Sequence, residues 1–182
     1  MSSKLDVVKM SHLMIADFAD SEGIALDMTL GHGFDSLELA KHFKHVYAFD
    51  IQRDAINSAE HKLAVTRNIT IIQDSHENFD QYVKAEIALA IYNLGYLPGG
   101  NKTITTRVST TLSSLDKLLK QLKINGIIII VVYVGHDEGI KESRAVKNYL
   151  DTIAADCFKV ATYQIVNRRQ APYLLLVTKV KE

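Results

Sequence analysis

Short apolar runs alternate with amphipathic segments along the chain, and this alternation predicts a fold in which strands and helices take turns. The predicted strands span residues 24–28, 46–49, 69–72, 86–92, 127–134, 158–166 and 173–180. The predicted helices span residues 3–20, 34–40, 53–66, 77–82, 104–122 and 140–155.

The order of these elements predicts an α/β, Rossmann-like fold with a mostly parallel, seven-stranded sheet. Strands that alternate with helices are usually joined by right-handed crossovers into parallel neighbours. Residues 127–134 are apolar throughout, as a strand covered by helices on both faces should be. The last two strands have no helix between them, so we expect them to form an antiparallel hairpin at one edge. A dehydrogenase of Rossmann type would more often continue with strand–helix units.

Composition and charge restrict the class of protein. Of 182 residues, 47% are hydrophobic and 23% are charged, which is typical of a globular protein. We expect one domain over 1–182, with a leading helix (1–20) and a Rossmann-like core (24–182). The net charge is zero, so any contact with RNA has to come from a local basic patch. The single cysteine, Cys157, excludes an intramolecular disulfide and a cysteine-rich zinc site.

The beginning of the chain and its longest apolar run favour a cytoplasmic protein. Lys4, Asp6 and Lys9 interrupt the apolar residues near the start, which is unlike a signal peptide. The longest apolar run, 127–134, is too short to cross a bilayer. We therefore expect no membrane partner.

A glycine-spaced turn after the first predicted strand indicates a nucleoside-cofactor site. The strand delivers Asp27, the turn contains Gly31 and Gly33, and a helix opens at Phe34. Glycines permit turns and close backbone approach that other residues resist. Asp50 follows the next strand, where Rossmann-like folds place a carboxylate that accepts the ribose hydroxyls.

Polar residues stand at the ends of all five predicted parallel strands. Ligands of such sheets bind beyond the carboxyl ends of the strands. Asp, Asn and Gly are also common turn formers, but five ends that all carry polar groups favour a ligand site. These residues are Asp27, Asp50, Gln52, Asp74, Ser75, His76, Asn93, Tyr96 and His136.

The segment Asn93-Leu94-Gly95-Tyr96 indicates transfer to a nitrogen atom. A nitrogen lone pair has to point at the electrophile, and carbonyl acceptors that hold the amine hydrogens orient it for in-line attack. Asn93 and the following backbone carbonyl can do this, and Tyr96 can stack on a planar base. The alternative interpretation is a plain turn capped by a tyrosine.

Three histidines are candidates for supporting roles. His76 and His136 titrate near neutral pH in water and could accept a proton from an ammonium substrate, although their places favour positioning or turn roles over that of an essential base. His12 lies on the apolar face of the first predicted helix, either as a core histidine or as a residue that closes the pocket.

Two further patterns concern anions and metals. Arg168, in the basic loop between the last two strands, is a candidate for contact with a phosphate. His42 and His45 have the spacing of metal ligands but no further ligand pattern around them, so we predict no metal site.

Five segments together resemble a known family. They are D-M-T-L-G-H-G-F-D-S (27–36), F-D-I-Q (49–52), D-S-H-E (74–77), Y-N-L-G-Y-L-P-G-G (92–100) and Y-V-G-H-D-E-G (133–139). The chain resembles the small bacterial S-adenosylmethionine-dependent methyltransferases known as rRNA methylases, which include tRNA 5-aminomethyl-2-thiouridine methyltransferases. The first segment departs from the usual D-x-G-x-G-x-G, because Thr29 replaces a glycine. His32 stands where relatives often carry Asn.

The resemblance implies a class I methyltransferase fold, S-adenosylmethionine as cofactor and the anticodon loop of tRNA as partner. It implies methylation of the 5-aminomethyl group of wobble 5-aminomethyl-2-thiouridine. No metal is implied, because a sulfonium is already a strong electrophile and positioning supplies most of the remaining help.

The resemblance also implies a role for each residue. Asp27 would hold the methionine part with the glycine backbone, Asp50 the ribose hydroxyls, and Gln52, Asp74 and Ser75 would flank the adenine. The implied cofactor-binding residues are Asp27, Thr29, Gly31, His32, Gly33, Asp35, Asp50, Gln52, Asp74, Ser75, His76 and Asn93. The implied substrate contacts are His12, Tyr96, Pro98, Gly99, Gly100, His136 and Arg168. The implied catalytic residues are Asn93, Tyr96 and His136.

Other functions remain open at the level of sequence. One keeps the cofactor but acts on rRNA, a protein amine or a small-molecule amine, which the zero net charge favours. Another is a non-catalytic nucleoside-binding module or an NAD-linked enzyme on a related fold. The sequence also leaves open whether the protein forms a homodimer.

Overall fold

A seven-stranded sheet with helices on both faces forms the core of the molecule. The computed structural model describes residues 6–100, 103–135, 137–168 and 170–182. The strands are β1 (Asp20–Asp27), β2 (Phe43–Asp50), β3 (Ile69–Gln73), β4 (Ile87–Leu94), β5 (Leu122–Val132), β6 (Phe158–Gln164) and β7 (Tyr173–Lys179). The helices are α1 (Val7–Asp17), α2 (Phe34–Leu39), α3 (Arg53–Leu63), α4 (Phe79–Tyr82), α5 (Val108–Gln121) and α6 (Asp137–Leu150).

The strands follow the order β3-β2-β1-β4-β5-β7-β6. Pairing is parallel from β3 to β5, whereas β7 runs antiparallel to both β5 and β6. The predicted α/β class, the mostly parallel sheet of seven strands and the antiparallel terminal hairpin are therefore confirmed. The hairpin is inserted so that β7 pairs with β5 and leaves β6 at the edge.

Side chains alternate between two apolar layers, one on each face of the sheet. On β5, Ile128 and Ile130 pack in the cluster that includes residues of α4, α5 and α6. Ile127 and Ile129 pack in the cluster on the opposite face, where α1 and α2 lie. All four are at most 1% exposed, so the uniformly apolar run is covered on both faces, as predicted.

The helix before β5 begins later than the apolar spacing predicts. It starts at Val108 rather than at residue 104. Instead of joining the helix, the preceding residues turn back onto the loop after β4: Thr105 forms a bridge with Tyr96, and the Thr106 amide donates to the Gly95 carbonyl at 2.9 Å. The apolar spacing extends back to Ile104 in the sequence. Residues 105 and 106 nevertheless form backbone contacts with the loop after β4, so the helix begins after them.

The leading helix is shorter than predicted, and residues 1–5 lie outside the described residues. It ends at Asp17, and β1 begins soon after it, at Asp20. Its buried residues are Val7, Ser11 and Ile15, while Val8 is 38% exposed. Asp6 caps the helix through its carboxylate. Among the described residues, none of the helices has the length and apolar character needed to cross a membrane.

The register of β1 against its two neighbours positions the site. Asp27, the last residue of β1, lies opposite Ala48 of β2 and opposite Ile91 of β4. Asp50 and Asn93 are each two residues beyond those partners. Because the three strands are parallel, their last residues meet at the carboxyl edge of the sheet, where ligands of open α/β folds bind.

Candidate functional site

The loop between β1 and α2 is joined to the ends of both neighbouring strands. The Leu30 amide donates to the Phe49 carbonyl at 2.9 Å on the β2 side. On the β4 side, the Asn93 amide donates to the Thr29 hydroxyl at 2.7 Å. Thr29, the residue that replaces the first glycine, therefore fixes the backbone at the start of the segment from Asn93 to Tyr96.

Asp27 supports this loop from beneath. Its carboxylate is 0% exposed and accepts hydrogen bonds from the Ser36 hydroxyl at 2.6 Å and the Thr29 amide at 3.2 Å. Burial, followed by the negative charge of Asp35, raises the pKa of this carboxyl. The residue joins β1, the loop and α2 at one point.

Asp50 holds the tip of the same loop. Its two oxygens accept the Gly31 amide at 3.0 Å and the Gln52 amide at 2.9 Å. Burial raises the pKa of its carboxyl, although these backbone hydrogen bonds oppose the shift. Each oxygen keeps a further lone pair for a hydroxyl donor. Gln52 is the N-cap residue of α3.

The two glycines of the loop have different surroundings. Both have positive φ angles, +50° at Gly31 and +76° at Gly33. A Cβ at Gly33 would lie 3.2 Å from side-chain atoms of Ala59 and Leu63, so this glycine also serves the packing of α3. At Gly31 the nearest atom would be 3.5 Å away on Leu97, an ordinary van der Waals contact, so the packing is looser here than at Gly33.

Asp35 joins the two sides of the site. It stands in the first turn of α2 and accepts a hydrogen bond from the Asn93 side-chain amide through Oδ2. Its Oδ1 lies 2.7 Å from His12 Nε2 of α1. This contact is the main reason that the pKa of His12 is raised, and the charge of Asp35 adds to the effect. His12 is therefore neither a core histidine nor isolated.

The loop after β4 is fixed at both of its ends. His32 contacts the Ser58 hydroxyl at 2.9 Å and the Pro98 carbonyl at 3.0 Å, so it links the glycine turn to α3 and to this loop. Tyr96 is 37% exposed. Among the described residues, no heavy atom lies within 4 Å of the position that a Cβ at Gly99 would take, whereas a Cβ at Gly100 would lie 3.1 Å from the side chain of Leu97.

A buried carboxylate that the sequence analysis missed holds the far end of this loop. Glu142 of α6 is 2% exposed and accepts the hydroxyls of Thr106 at 2.6 Å and Thr111 at 2.7 Å. Thr106 in turn accepts the Gly95 amide at 2.9 Å. Glu142 falls on the helical stripe that includes Val146 and Leu150, which is the signal that could have revealed it.

The end of β3 contributes groups that are already partnered. The carboxylate of Asp74 accepts hydrogen bonds from the side-chain amide of Asn78 at 3.0 Å and from the Tyr82 hydroxyl at 2.8 Å. Burial acts to raise the pKa of this carboxyl, but the hydrogen bonds together lower it. Ser75 caps the following short turn through the Glu77 amide. Neither residue is bonded to the cluster around Asp35.

His76 is enclosed and weakly basic. It is 8% exposed, packs edge-on against Tyr92, and its Nε2 makes no hydrogen bond with a described residue. Burial lowers its pKa to about 4, against a hydrogen bond to the Met28 backbone that acts in the other direction. A group that binds protons so weakly is a poor general base at neutral pH.

Arg168 and His136 are two further predicted site residues. Arg168 lies in the exposed loop between β6 and β7, and that loop is at the same edge of the sheet because β7 begins opposite the last residue of β5. His136 lies outside the described residues, so its predicted role stays a prediction.

Three carboxylates give the site a negative character. Asp27, Asp35 and Asp50 lie near enough that, besides burial, the charges of the other two raise the pKa of Asp27. The His12 ring, whose pKa is raised, is bonded to Asp35 of this group. Over the described part of the chain, no three acidic, histidine or cysteine side chains are placed to hold one metal ion. The arrangement suits a cationic ligand that carries hydroxyl groups.

Comparison with known proteins gives consistent results. Residues 46–179 match the model of a family described as "Putative rRNA methylase". An Arabidopsis thaliana protein named tRNA (mnm(5)s(2)U34)-methyltransferase, chloroplastic, is 33% identical over 187 residues, which cover 94% of this chain and 68% of that protein.

Two crystal structures are similar over nearly the whole chain. One, titled a putative rRNA methylase from Clostridium thermocellum, has a TM-score of 0.93 and 32% identity, covering 99% of this chain and all of the other. The second is a methyltransferase from Streptococcus mutans in complex with SAH, with a TM-score of 0.90, 35% identity and the same coverage.

The burial of His76 predicts how stability changes with pH. The folded protein holds this ring neutral, with a pKa lowered to about 4, whereas the unfolded chain protonates it near 6.5. Its contribution is therefore complete above pH 6.5 and is lost as the pH falls towards 4. We expect it to account for roughly 3 kcal/mol of the free energy of unfolding over that interval, measured by urea unfolding at several pH values.

The variant His76→Gln removes this titration, so its free energy of unfolding should fall less, or rise more, than that of the wild type as the pH is lowered from 6.5 to 4. His61→Gln changes an exposed histidine of α3 and serves as the control, with the slope of the wild type. Asp27 acts in the opposite direction over an overlapping interval, because its pKa is raised from 3.8 to about 7 and its contribution is lost as the pH rises, so the difference between the wild-type and variant slopes isolates His76. Equal slopes in wild type and His76→Gln would show that the ring is not held neutral.

Proposed function

This chain belongs to the rRNA methylase family of S-adenosylmethionine-dependent methyltransferases, and on that premise we propose that it methylates an amine in tRNA. The substrate is the 5-aminomethyl group of wobble 5-aminomethyl-2-thiouridine, and the product carries a 5-methylaminomethyl group. The observation that carries the proposal is the hydrogen bond from the Asn93 side-chain amide to Asp35.

That bond determines which atom Asn93 offers to a substrate. An ionised carboxylate only accepts hydrogen bonds, so Asn93 has to direct its NH2 group towards Asp35. Its Oδ1 accepts no hydrogen bond from the described residues, and it is therefore available for an amine N–H. An acceptor at this place orients a nitrogen lone pair for in-line attack, which distinguishes an amine substrate from a carbon or carboxylate substrate.

The cofactor fits the geometry and charge of the β1–α2 side of the site. When bound, S-adenosylmethionine supplies an electrophilic methyl group on a sulfonium. Asp50 has the lone pairs for the ribose hydroxyls, and its hydrogen bond from the Gly31 amide places it beside the glycine turn. The negative charge of the Asp35 carboxylate favours the sulfonium and ammonium groups.

Asp27 acts in this proposal through the loop rather than by contact, because its carboxylate is buried and bonded to Ser36 and Thr29. Gln52, Asp74, Ser75 and His76 line the adenine side. On this side, the buried Nε2 of His76 makes no hydrogen bond with a described residue.

Tyr96 and the loop after it are the proposed contacts with the base. Tyr96 is partly exposed beside Asn93, and an aromatic ring is a platform on which a splayed-out base can stack. Pro98, Gly99 and Gly100 continue this surface. Arg168 is exposed at the same edge of the sheet, where it can contact a phosphate, and His136 is proposed to face the base from the loop before α6.

Support for tRNA comes from the name of the Arabidopsis relative. Its 33% identity extends over 94% of this chain and 68% of that protein. The wobble base lies in a single-stranded loop and is reached without opening a duplex. The family description favours rRNA as the second candidate, and the zero net charge is compatible with a small amine.

The first prediction of this proposal concerns tRNA. Purified protein, S-adenosylmethionine and tRNA from a strain that lacks the gene should give 5-methylaminomethyl-2-thiouridine, detected by nucleoside mass spectrometry. The same reaction with rRNA tests the second candidate. If rRNA gains the methyl group and tRNA does not, the tRNA proposal is wrong while the cofactor assignment stands.

The second prediction separates cofactor binding from turnover. Asp50→Ala should weaken S-adenosylhomocysteine binding roughly 10- to 100-fold in calorimetry, because a charged acceptor of ribose hydroxyls is lost. Asp54→Ala, which removes an exposed acid of the neighbouring helix, is the matched control and should bind normally.

Asn93→Ala should have the opposite effect, with cofactor affinity largely kept and turnover reduced at least about 100-fold. Retained turnover in this variant would contradict the role of Asn93 in orienting the amine. Unchanged affinity in Asp50→Ala would remove Asp50 from the cofactor site.

A further inference from the structure

We propose that Asp35 and His12 are positioning residues that fix the orientation of the Asn93 side chain, and that neither touches cofactor or base. The inference rests on the proposed function and adds to it the groups that make Asn93 selective for an amine. It changes the roles that the sequence suggests, since there Asp35 is a cofactor contact and His12 a substrate contact. The observation is a chain of two hydrogen bonds, Asn93 to Asp35 and Asp35 to His12.

An asparagine can present either of two chemically opposite atoms. Its backbone is fixed here, because the Asn93 amide donates to the Thr29 hydroxyl at 2.7 Å. If the side-chain amide were rotated by half a turn, Oδ1 would face the Asp35 carboxylate in place of the NH2 group, and two acceptors would then oppose each other. Asp35 therefore selects the rotamer in which Oδ1 is directed away from α2 and an amine N–H can bind to it.

This selection requires that Asp35 stays ionised. A protonated Asp35 could donate its O–H to Asn93 Oδ1, and the amide would then turn its NH2 group towards the substrate. Asp27 lies close by, and burial together with the charge of Asp35 raises the pKa of Asp27. His12 holds the second oxygen of Asp35, with its Nε2 2.7 Å away, and a hydrogen bond donated to a carboxylate stabilises its ionised form.

Other titratable groups among the described residues also interact with His12 or Asp35. Glu38 and Lys41 of α2 also act on His12, with opposite signs. Burial raises the pKa of Tyr133, which follows β5, and the negative charges of Asp35 and Asp6 add to this shift. Only His12 bonds directly to Asp35 among these groups, so it is the residue whose removal should release the carboxylate.

The test compares variants that differ in a single hydrogen bond. Asp35→Asn can offer its NH2 group to Asn93 Oδ1, so kcat should fall roughly 10- to 100-fold, whereas S-adenosylhomocysteine affinity stays within about threefold. His12→Gln keeps an N–H donor near the place of Nε2 and should retain more of kcat than His12→Ala. The excess loss in His12→Ala should also change the pH profile of kcat, because the variant lacks the His12 ring, whose pKa the contact with Asp35 raises.

His42→Gln is the matched control, because His42 pairs with the Glu38 carboxylate one turn along the same helix, at 3.3 Å, without a bond to Asn93. It should have the kcat and pH profile of the wild type. Asp35→Asn with full kcat, or His12→Ala with the same pH profile as the wild type, would overturn the proposal.

A measurement without substrate separates this inference from the proposed function. Titration of the His12 ring by NMR should show a midpoint that falls in Asp35→Asn relative to the wild type. An unchanged midpoint would show that the contact does not exist in solution and would overturn the proposal. Wild-type protein that methylates no tRNA nucleoside would instead contradict the proposed function, and the ring titration would still decide whether Asp35 holds His12.

Discussion

The parallel pairing of β1 with both β2 and β4 is the constraint on which the site depends. It ends three neighbouring strands at one edge, with Asp27, Asp50 and Asn93 within two residues of the same register line. The loop after β1 is held on both sides. The amides of Leu30 and Gly31 donate to the last residues of β2, and the Thr29 hydroxyl accepts the backbone amide of Asn93 near the end of β4. The proposed cofactor contacts and the proposed amine contact are thus joined through one hydrogen-bonded turn.

Electrostatics couples the two sides. Three carboxylates are gathered where the loop meets α2, and burial raises the pKa of Asp27 and Asp50. Such grouping costs stability unless a cation is close. His12 supplies one from α1, and a sulfonium cofactor would supply another. The site is thereby adapted to a positively charged ligand before any substrate arrives.

Sequence patterns predicted the fold and the residues that directly follow strands. Asp50 and Asn93 could be found because each stands at the end of an apolar run, where topology alone decides the location. The bond between Asp35 and His12 could not, since it joins residues 23 positions apart through the packing of α1 on α2. The predicted start of α5 was wrong. Thr105 and Thr106 pair with the loop after β4, although the apolar spacing of the helix extends back to residue 104. Glu142 was missed because a charged residue on an apolar stripe looks like an exception until its two threonine partners are known.

A crystal structure of the protein with S-adenosylhomocysteine would test the central claim most directly. The account predicts ribose hydroxyls about 3 Å from the Asp50 carboxylate, with the sulfur on the side of Asn93. It also predicts that the Asn93 NH2 group still donates to Asp35 and that Oδ1 faces the open site. A nucleoside bound away from Asp50, or an Asn93 amide turned with Oδ1 towards Asp35, would contradict it.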